Sequence, residues 1–163
     1  MKKILLLSDT HTYLDEAILH HVKEADEVWH AGDIGSLEIY ERIKAIKPIR
    51  AVFGNIDGQE LRIQIPKIAK FECEGLKIMM THIGGYPNKY ESTILHQILE
   101  YKPNIFISGH SHILKIMNDK KLGLLHLNPG AIGKFGFHLK RTMIRFEIDN
   151  GIPKNLAVIE FDK

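Results

Sequence analysis

The stretch Ile105-Phe106-Ile107-Ser108-Gly109-His110-Ser111-His112 decides the fold and, with it, where the chemistry lies. Three β-favouring apolar residues that run into Ser-Gly indicate a central buried strand and its exit turn. In open α/β sheets, functional groups gather at the carboxyl ends of such strands. The turn carries His110 and His112, which are two residues apart and can therefore reach different partners. The pair alone is not decisive, because histidine is also an ordinary residue at strand ends.

The composition indicates one domain and gives little sign of a charged partner. At 163 residues and 44% hydrophobic content, the chain is expected to fold as a single domain over residues 1–163, burying roughly 70% of its unfolded surface. Its 22 Lys and Arg nearly balance its 20 Asp and Glu, giving a net charge of +2. We therefore expect neither membrane binding nor nucleic-acid binding driven by charge.

Two sequence features predict a cytoplasmic protein. The single cysteine, Cys73, excludes an intramolecular disulfide and any Cys-x-x-Cys motif, which fits a reducing compartment. The apolar run at residues 4–7 is too short for a signal peptide, and no other run approaches the length of a membrane span. We therefore expect a soluble protein of the cytoplasm.

Three predicted strands in the first third of the chain end in polar residues. The strands cover residues 4–7, 27–30 and 49–53, and the polar residues that follow them are Asp9, His11, Asp33 and Asn55. Apolar residues at helical spacing fill the two intervals between the strands, which calls for parallel pairing with right-handed crossovers. The carboxyl ends of parallel strands lie along one rim, so we expect these four side chains to be neighbours.

Each of the two helices between these strands has a candidate N-cap. Thr12 and Ser36 each stand shortly before an apolar stripe, and hydroxyl side chains are favoured at N-caps. With Thr12 as the cap of the first helix, Asp9 and His11 are free for another task.

The rest of the chain is predicted to form mainly strands around one helix. These elements are a hairpin at 67–81 that ends at His82, a helix at 90–101, the strand at 105–107, a hairpin at 113–127, a turn at 128–130, and strands at 142–148 and 157–161. The hairpins indicate antiparallel pairing. We expect a second sheet, built partly from this C-terminal half, to pack on the first.

The side chains at the predicted strand ends form a set of metal ligands. Seven residues from five separate places make up the set: Asp9, His11, Asp33, Asn55, His82, His110 and His112. Carboxylate, amide oxygen and imidazole suit Mn²⁺, Fe²⁺ or Zn²⁺. Seven ligands are too many for one open catalytic ion, so two ions sharing a carboxylate, with Asp33 as the natural bridge, account for them better. Two ions roughly 3.5–4 Å apart acidify a bridging water to hydroxide and neutralise charge on an attacked phosphoryl group.

The order of these motifs resembles that of a known family. Asp9-x-His11, Gly32-Asp33, Gly54-Asn55-x-Asp57, His82 and Gly109-His110-x-His112 are similar to the motifs of the calcineurin-like metallophosphoesterase superfamily. The pattern is closest to its small, single-domain phosphodiesterase branch. Five motifs in the correct order are far more specific than any one of them alone.

The resemblance implies a fold, a metal centre and a reaction. The fold is an α/β structure, a four-layer α/β/β/α sandwich of two mixed sheets flanked by helices. The centre is binuclear, with Asp33, Asn55 and His82 closest to the chemistry. The implied ligands are Asp9, His11 and His112 on one ion, Asn55, His82 and His110 on the other, and Asp33 between them. The expected ions are manganese, with iron, zinc and nickel as alternatives, and the expected reaction is hydrolysis of a phosphodiester without a covalent intermediate.

Two departures from the family pattern bear on the leaving group. Most of the superfamily has a histidine after Gly-Asn, the residue assigned as general acid, and this chain has Ile56. Many close relatives have His-Gly-His where this chain has His82-Ile83-Gly84. Loss of a positioned acid costs on the order of 10²–10⁴ in rate for poor leaving groups and much less for good ones. We therefore predict a phosphodiesterase that favours good leaving groups.

Several other polar residues have simpler roles. Asp57 is expected to fix its turn by accepting backbone N–H bonds, and His30 to be a buried, hydrogen-bonded histidine. His126 lies in no motif, and no Ser or Cys nucleophile is supported. The loop at residues 133–137, with His138 and Arg141 beyond it, is a candidate substrate contact.

The alternative to an enzyme is a protein-interaction scaffold on the same fold. The retromer scaffold subunit of vacuolar sorting is similar in size and fold, but it has lost several ligand positions, whereas all seven stand in this chain. Buried carboxylate and imidazole clusters are costly without an ion, which favours the enzyme. The substrate is expected to be a small-molecule or nucleotide phosphodiester, and the sequence leaves a homo-oligomer open.

Overall fold

The apolar run at the N-terminus forms a strand that is buried on both faces, as its lack of alternation predicts. The computed structural model describes residues 1–163, and this first strand, β1, covers Lys2–Leu7. Leu5 and Leu7 lie in the apolar layer shared with the helices of this sheet. Ile4 and Leu6 lie in the layer between the two sheets. Successive side chains of a strand point to opposite faces, so one short strand contributes to two cores.

Eleven more strands and four helices follow in chain order. They are α1 (Glu16–Glu24), β2 (Glu27–His30), α2 (Leu37–Lys44), β3 (Ile49–Ala51), α3 (Gln59–Arg62), β4 (Ile68–Cys73), β5 (Leu76–Thr81), β6 (Gly85–Tyr86), β7 (Lys89–Tyr90), α4 (Ser92–Tyr101), β8 (Ile105–Ile107), β9 (Leu114–Asp119), β10 (Leu124–Pro129), β11 (Lys140–Asp149) and β12 (Ile152–Asp162). None of the four helices combines the length and the apolar character needed to span a bilayer.

The strands form two mixed five-stranded sheets. The first has the order β12-β11-β1-β2-β3 and the second the order β4-β5-β8-β10-β9. The pairs β1–β2 and β2–β3 are parallel, as the strand–helix alternation predicts. In the second sheet β8 is central and pairs in parallel with β5 and β10, which confirms the interpretation of residues 105–107 as a central strand.

The C-terminal hairpin is placed differently from the prediction. The sequence assigned residues 142–148 and 157–161 to the second sheet, but β11 pairs antiparallel with β1 and so extends the first. The cause is a long-range pairing, Ile4 with Phe146, that puts Phe146 into the layer between the sheets. An alternating strand pattern is the same in either sheet, so the sequence alone does not distinguish them.

Three apolar clusters separate four layers. One lies between the two sheets and contains Trp29 and Phe146, whose rings meet nearly at right angles. A second joins the first sheet to α1 and α2, and a third joins the second sheet to α4 through Ile94 and Phe106. The four-layer α/β/β/α sandwich is thereby confirmed.

Local boundaries differ from the prediction at several points. Thr12 does not cap α1: it has a φ of 68° and its N–H is bonded to the Ile34 carbonyl. Asp15 is the cap, accepting the Ile18 N–H at 2.9 Å. Ser36 occupies the N-cap position of α2 but its side chain makes no capping bond. Elsewhere β3 ends earlier than predicted, the loop after His82 contains the short β6–β7 ribbon, and Asn128 and Pro129 complete β10 rather than forming a turn.

Candidate metal centre

The carboxyl ends of five strands bring all seven predicted ligands to one rim. β1, β2 and β3 of the first sheet are followed by Asp9, His11, Asp33 and Asn55, and β5 and β8 of the second sheet by His82, His110 and His112. Because the two sheets pack face to face, these ends meet along one edge of the sandwich. The cluster therefore joins the two halves of the fold.

The first group of ligand atoms comprises Asp9, His11 and His112. The Nε2 atoms of His11 and His112 lie 3.6 Å and 3.2 Å from Asp9 Oδ1. The three side chains can place their ligand atoms around a single ion. Asp9 is fully buried and the two histidines are partly exposed, so the group opens toward solvent on one side.

The second group comprises Asp33, His82 and His110, with Asn55 beside it. The Asp33 Oδ2 atom lies 3.1 Å from His82 Nε2, and the three side chains can again converge on one ion. The Asn55 Oδ1 atom is 3.2 Å from His110 Nδ1, so the amide adds an oxygen at the same place.

Asp33 stands between the two groups. Its Oδ2 atom lies 3.4 Å from His11 Nε2 of the first group as well as 3.1 Å from His82 Nε2 of the second. Its other oxygen, Oδ1, accepts the Ile56 N–H at 3.1 Å, which holds the carboxylate in place. One carboxylate oxygen thus faces both groups, which is the placement a shared ligand needs.

Unbonded buried atoms test whether the residues fit a metal. The Oδ1 atom of Asp9 and the Nε2 atoms of His11 and His82 are buried without a hydrogen-bond partner. Most buried polar atoms are bonded, so three such atoms within one cluster need an explanation. They are oxygen and imidazole donors with no thiolate, the set that Mn²⁺, Fe²⁺ and Zn²⁺ accept. The residues present therefore fit divalent cations.

The charges of the cluster keep both carboxylates ionised. Burial alone would raise the pKa of Asp9, but its contacts with His11 and His112 and the nearby His82 outweigh burial and hold that pKa below its ordinary value. Burial likewise opposes ionisation of Asp33, and His82 lowers its pKa. Burial would lower the pKa of His82, but Asp33 and Asp9 raise it. Two ionised, buried carboxylates side by side call for positive charge, from protons or from cations.

Hydrogen bonds behind the cluster orient its ligands. The Nδ1–H of His82 donates to the Ala31 carbonyl at 2.7 Å, which leaves Nε2 facing Asp33. The Ser8 hydroxyl donates to Asp9 Oδ2 at 2.7 Å, and the His110 N–H donates to the same oxygen at 3.2 Å. Such outer partners fix the orientation of metal ligands and usually matter for affinity. Sequence reasoning did not assign Ser8, although it stands directly before Asp9.

The backbone of the cluster is strained. Five of the seven side chains sit on residues with positive φ: Asp9 (55°), His11 (44°), Asp33 (56°), His110 (73°) and His112 (62°). Non-glycine residues adopt this region at a cost of order 1–3 kcal/mol each, and they cluster at functional sites. The strand-end turns aim these side chains inward at the expense of stability.

Two glycines of the sequence motifs lie where there is no room for a side chain. A Cβ on Gly54 would collide with the Asp33 carboxylate, and one on Gly109 would collide with the Ser8 hydroxyl and approach Asp9 Oδ2 at 3.2 Å. Both glycines precede predicted ligands in the sequence. Glycine is required at both positions because a ligand, or in the case of Gly109 the hydroxyl that bonds a ligand, lies against the α-carbon.

Asp57 has the structural role predicted for it. Its carboxylate accepts the N–H groups of Gly54 at 2.8 Å, Gly35 at 2.9 Å and Ile34 at 3.2 Å. Two of these belong to the turn after Asp33 and one to its own turn. Asp57 therefore ties together the two loops that carry Asp33 and Asn55.

The remaining singled-out residues lie at different distances from the cluster. His30 is fully buried beside it and bonded to the Thr10 hydroxyl and the Gly32 N–H, as predicted. His138 packs edge-on against His112 and its Nε2–H donates to the Gly133 carbonyl at 2.8 Å. His126 is buried among the aromatic rings beneath α4, and Cys73 is a buried free thiol in β4.

Fold and cluster together define the class of protein. A two-sheet sandwich whose strand ends bring carboxylates, an amide and imidazoles into two adjoining groups is the architecture of a metallophosphoesterase. A family model described as the calcineurin-like phosphoesterase superfamily domain matches residues 1–151. The chain belongs to that superfamily.

Individual relatives agree with this membership. A probable metallophosphoesterase of Methanocaldococcus jannaschii is 30% identical over 161 residues, covering 95% of this chain and 80% of that protein. A predicted phosphoesterase from Streptococcus pneumoniae has a TM-score of 0.72 at 24% identity, covering 99% and 98% of the two chains. Vps29 from Entamoeba histolytica, in complex with Zn²⁺, has a TM-score of 0.75 at 16% identity, covering 98% of each chain. The last two likenesses concern the fold.

Proposed function

We propose that this protein is a metal-dependent phosphodiesterase with a binuclear centre. The observation that carries the proposal is the position of Asp33 Oδ2, 3.4 Å from His11 Nε2 and 3.1 Å from His82 Nε2. In the reaction, the oxygen of a water forms a bond to phosphorus, one ester P–O bond breaks, and the products are a phosphomonoester and an alcohol. The two ions, when bound, would supply acidification of that water and charge neutralisation at the phosphoryl group.

The chain's own residues have distinct parts in this proposal. Asp9, His11 and His112 would hold one ion and Asn55, His82 and His110 the other, with Asp33 between them. Asp33, Asn55 and His82 would border the phosphoryl group. Manganese is the metal we propose, with iron, zinc and nickel as alternatives, because the donors are oxygen and imidazole. Residues 1–163 act as one domain, and the buried free thiol Cys73 supports a location in the cytoplasm.

The decisive experiment measures turnover as well as metal content. We expect protein loaded with Mn²⁺ to hydrolyse bis-p-nitrophenyl phosphate and chelated protein not to. Asp33→Asn should lower both bound metal and turnover, by roughly 10–100-fold, because it removes the negative charge of the shared ligand. The matched control is Asp26→Asn, an exposed carboxylate at the opposite end of β2. Asp33→Asn protein that keeps its metal and its activity would refute the proposal.

The second candidate, a protein-interaction scaffold, is supported by the fold likeness to Vps29. Metal content alone does not separate the two functions, because one of those Vps29 structures is a Zn²⁺ complex. Turnover does separate them. A folded, metal-loaded protein without hydrolytic activity toward any phosphodiester would favour the scaffold.

A preference for good leaving groups is the finer part of the proposal. Ile56 takes the place of the family's general acid, its N–H is bonded to Asp33 Oδ1, and its side chain is exposed beside the cluster. Ile56→His should therefore change the turnover of methyl p-nitrophenyl phosphate little. It should raise the cleavage of dialkyl phosphates by roughly tenfold or more, because only alkoxide leaving groups need a proton. An unchanged ratio of alkyl to aryl turnover would contradict this explanation.

A further inference from the structure

We propose that the loop at residues 133–139 forms a subsite for an aromatic ester arm of the substrate, with Phe135 and Phe137 as its specificity-determining side chains. The inference rests on the proposed function, since it takes the phosphoryl group to lie at the candidate metal centre. The occupant is a planar aromatic group on one side of the phosphodiester, either an aryl group or a nucleobase.

The subsite is a cleft continuous with the metal centre. A cleft of about 550 Å³ is lined by candidate ligands of both groups and by apolar side chains. The apolar side chains are Ile56, Ile113, Phe135 and Phe137. A phosphoryl group at Asp33 would leave one of its ester arms within this cleft.

The apolar side chains of the cleft are unusually exposed. Phe135 is 68% exposed, Phe137 is fully exposed, and Ile113 and Ile56 are 59% and 45% exposed. Contiguous exposed apolar surface marks binding sites more often than chance, because leaving it in water is unfavourable. Here the surface begins at the metal ligands themselves: the Phe135 ring stacks on the His11 ring at a centroid distance of 4.9 Å and an angle of 25°.

The base of the loop is fixed to the strand end that carries Asp9. The Ile132 N–H donates to the Ser8 carbonyl at 3.1 Å, and the Gly133 N–H donates to the Asp9 carbonyl at 3.0 Å. His138 closes the loop by donating its Nε2–H to the Gly133 carbonyl at 2.8 Å. These bonds fix both ends of the segment that carries the two phenylalanines, and Phe135 is also held against His11 by its ring contact; a specificity subsite requires such support.

Another part of the metal centre borders charged as well as apolar side chains. A second cleft, of about 600 Å³, contains Asn55 and His82 and extends over Arg62, Lys67 and Glu91. The Arg62 guanidinium is held by the Asp57 carbonyl at 2.6 Å and stacks on Phe53 at 4.6 Å. The two arms of a diester would thus meet different surfaces. The aromatic arm suits the phenylalanine side, where stacking on a ring is favourable.

The first test measures binding without turnover. Titration calorimetry of the Mn²⁺-loaded protein would compare phenylphosphonate with methylphosphonate, which share the phosphonate group and differ only in the arm. We expect phenylphosphonate to bind about tenfold more tightly, and the double variant Phe135→Ala, Phe137→Ala to lose that advantage while binding methylphosphonate as before. Leu139→Ala is the matched control, because Leu139 is 87% exposed on the same loop but does not line the cleft. Equal binding of the two phosphonates, or no binding of either, would overturn the inference.

The second test measures turnover with one leaving group and three arms. The substrates are 2,2,2-trifluoroethyl diesters, whose leaving group is not aromatic, with methyl, benzyl or thymidine as the other arm, and the measured quantity is kcat/KM for release of trifluoroethanol. A preference for benzyl or for thymidine over methyl, lost in the double variant, supports the subsite and identifies its occupant. A preference that survives the double variant overturns it. The inference is also overturned if the double variant keeps its arm preference but changes its oligomeric state on size-exclusion chromatography. In that case the exposed phenylalanines would form an interface between copies of the chain. No turnover of any ester, with phenylphosphonate still bound preferentially, would count against the proposed function and leave the subsite standing.

Discussion

At the scale of single residues, His126 shows how a buried group outside the metal centre responds to pH. The side chain is fully buried in β10, and neither ring nitrogen has a hydrogen-bond partner. Its ring stacks on Phe106 at 5.6 Å and meets Tyr90 edge-on. Burial lowers the pKa of His126 to about 4. The imidazole is therefore neutral in the folded protein at pH values where an exposed histidine is already charged.

This difference predicts a loss of stability in mild acid. Below pH 6.5 the unfolded chain binds a proton at His126 that the folded protein does not accept until about pH 4. The free energy of unfolding therefore falls as the pH drops through this interval, by ~3 kcal/mol for this residue. In urea denaturation, the free energy of unfolding of His126→Leu should fall by ~3 kcal/mol less between pH 7.5 and pH 4 than that of the natural protein. At pH 7.5 the variant should be at least as stable as the natural protein, because two unbonded polar atoms are removed. His96→Leu, on the exposed face of α4, is the control. A variant with the same pH profile as the natural protein would refute this account.

At the scale of elements, the strand ends were predictable from sequence and the pairing of the last hairpin was not. Residues 4–7, 27–30 and 105–107 lack alternation, so their burial on both faces and their parallel partners follow from local pattern. The register of β11 against β1 depends on contacts more than a hundred residues apart, which no local pattern encodes. The prediction of Thr12 as the cap of α1 was wrong for a similar reason, because the bond from the Thr12 N–H to the Ile34 carbonyl is a tertiary contact.

The link between two strand-end loops gives the prediction at this scale. Asp57 accepts N–H bonds from Ile34, Gly35 and Gly54, and so joins the loops after β2 and β3. Asp57→Asn keeps the shape but offers one oxygen in place of two, so at least one buried N–H loses its acceptor. We expect the free energy of unfolding to fall by about 2–3 kcal/mol and Mn²⁺ to bind more weakly, because these loops carry Asp33 and Asn55. Urea denaturation and calorimetric titration measure the two effects. The control is Asp26→Asn, which changes one exposed bond to the Lys3 N–H. If Asp57→Asn lowered the free energy of unfolding as little as this control, the prediction would be contradicted.

At the scale of the whole molecule, the predicted ligands divide between the two sheets. Four follow strands of the first sheet and three follow strands of the second. The side chains could be identified in advance because each stands at the end of a recognisable strand. Their convergence, the unbonded atoms of Asp9, His11 and His82, and the exposed phenylalanines of the 133–139 loop depend on how the sheets pack, and these became visible only in the structure.

This division predicts that metal stabilises the molecule as one unit. An ion bound only by the folded state adds RT ln(1 + [L]/Kd) to stability, ~2.7 kcal/mol at a hundred times Kd. For a chain of this length we expect the midpoint of thermal unfolding to rise by roughly 5–10 °C on adding Mn²⁺, and Asp33→Asn to lose most of the rise. Because each candidate ligand group combines side chains from both sheets, the sheets should unfold together in a single transition with or without metal. Differential scanning calorimetry distinguishes this from the alternative: two transitions, of which metal shifts only one, would mean that the sheets are independent units and that the ions do not join them.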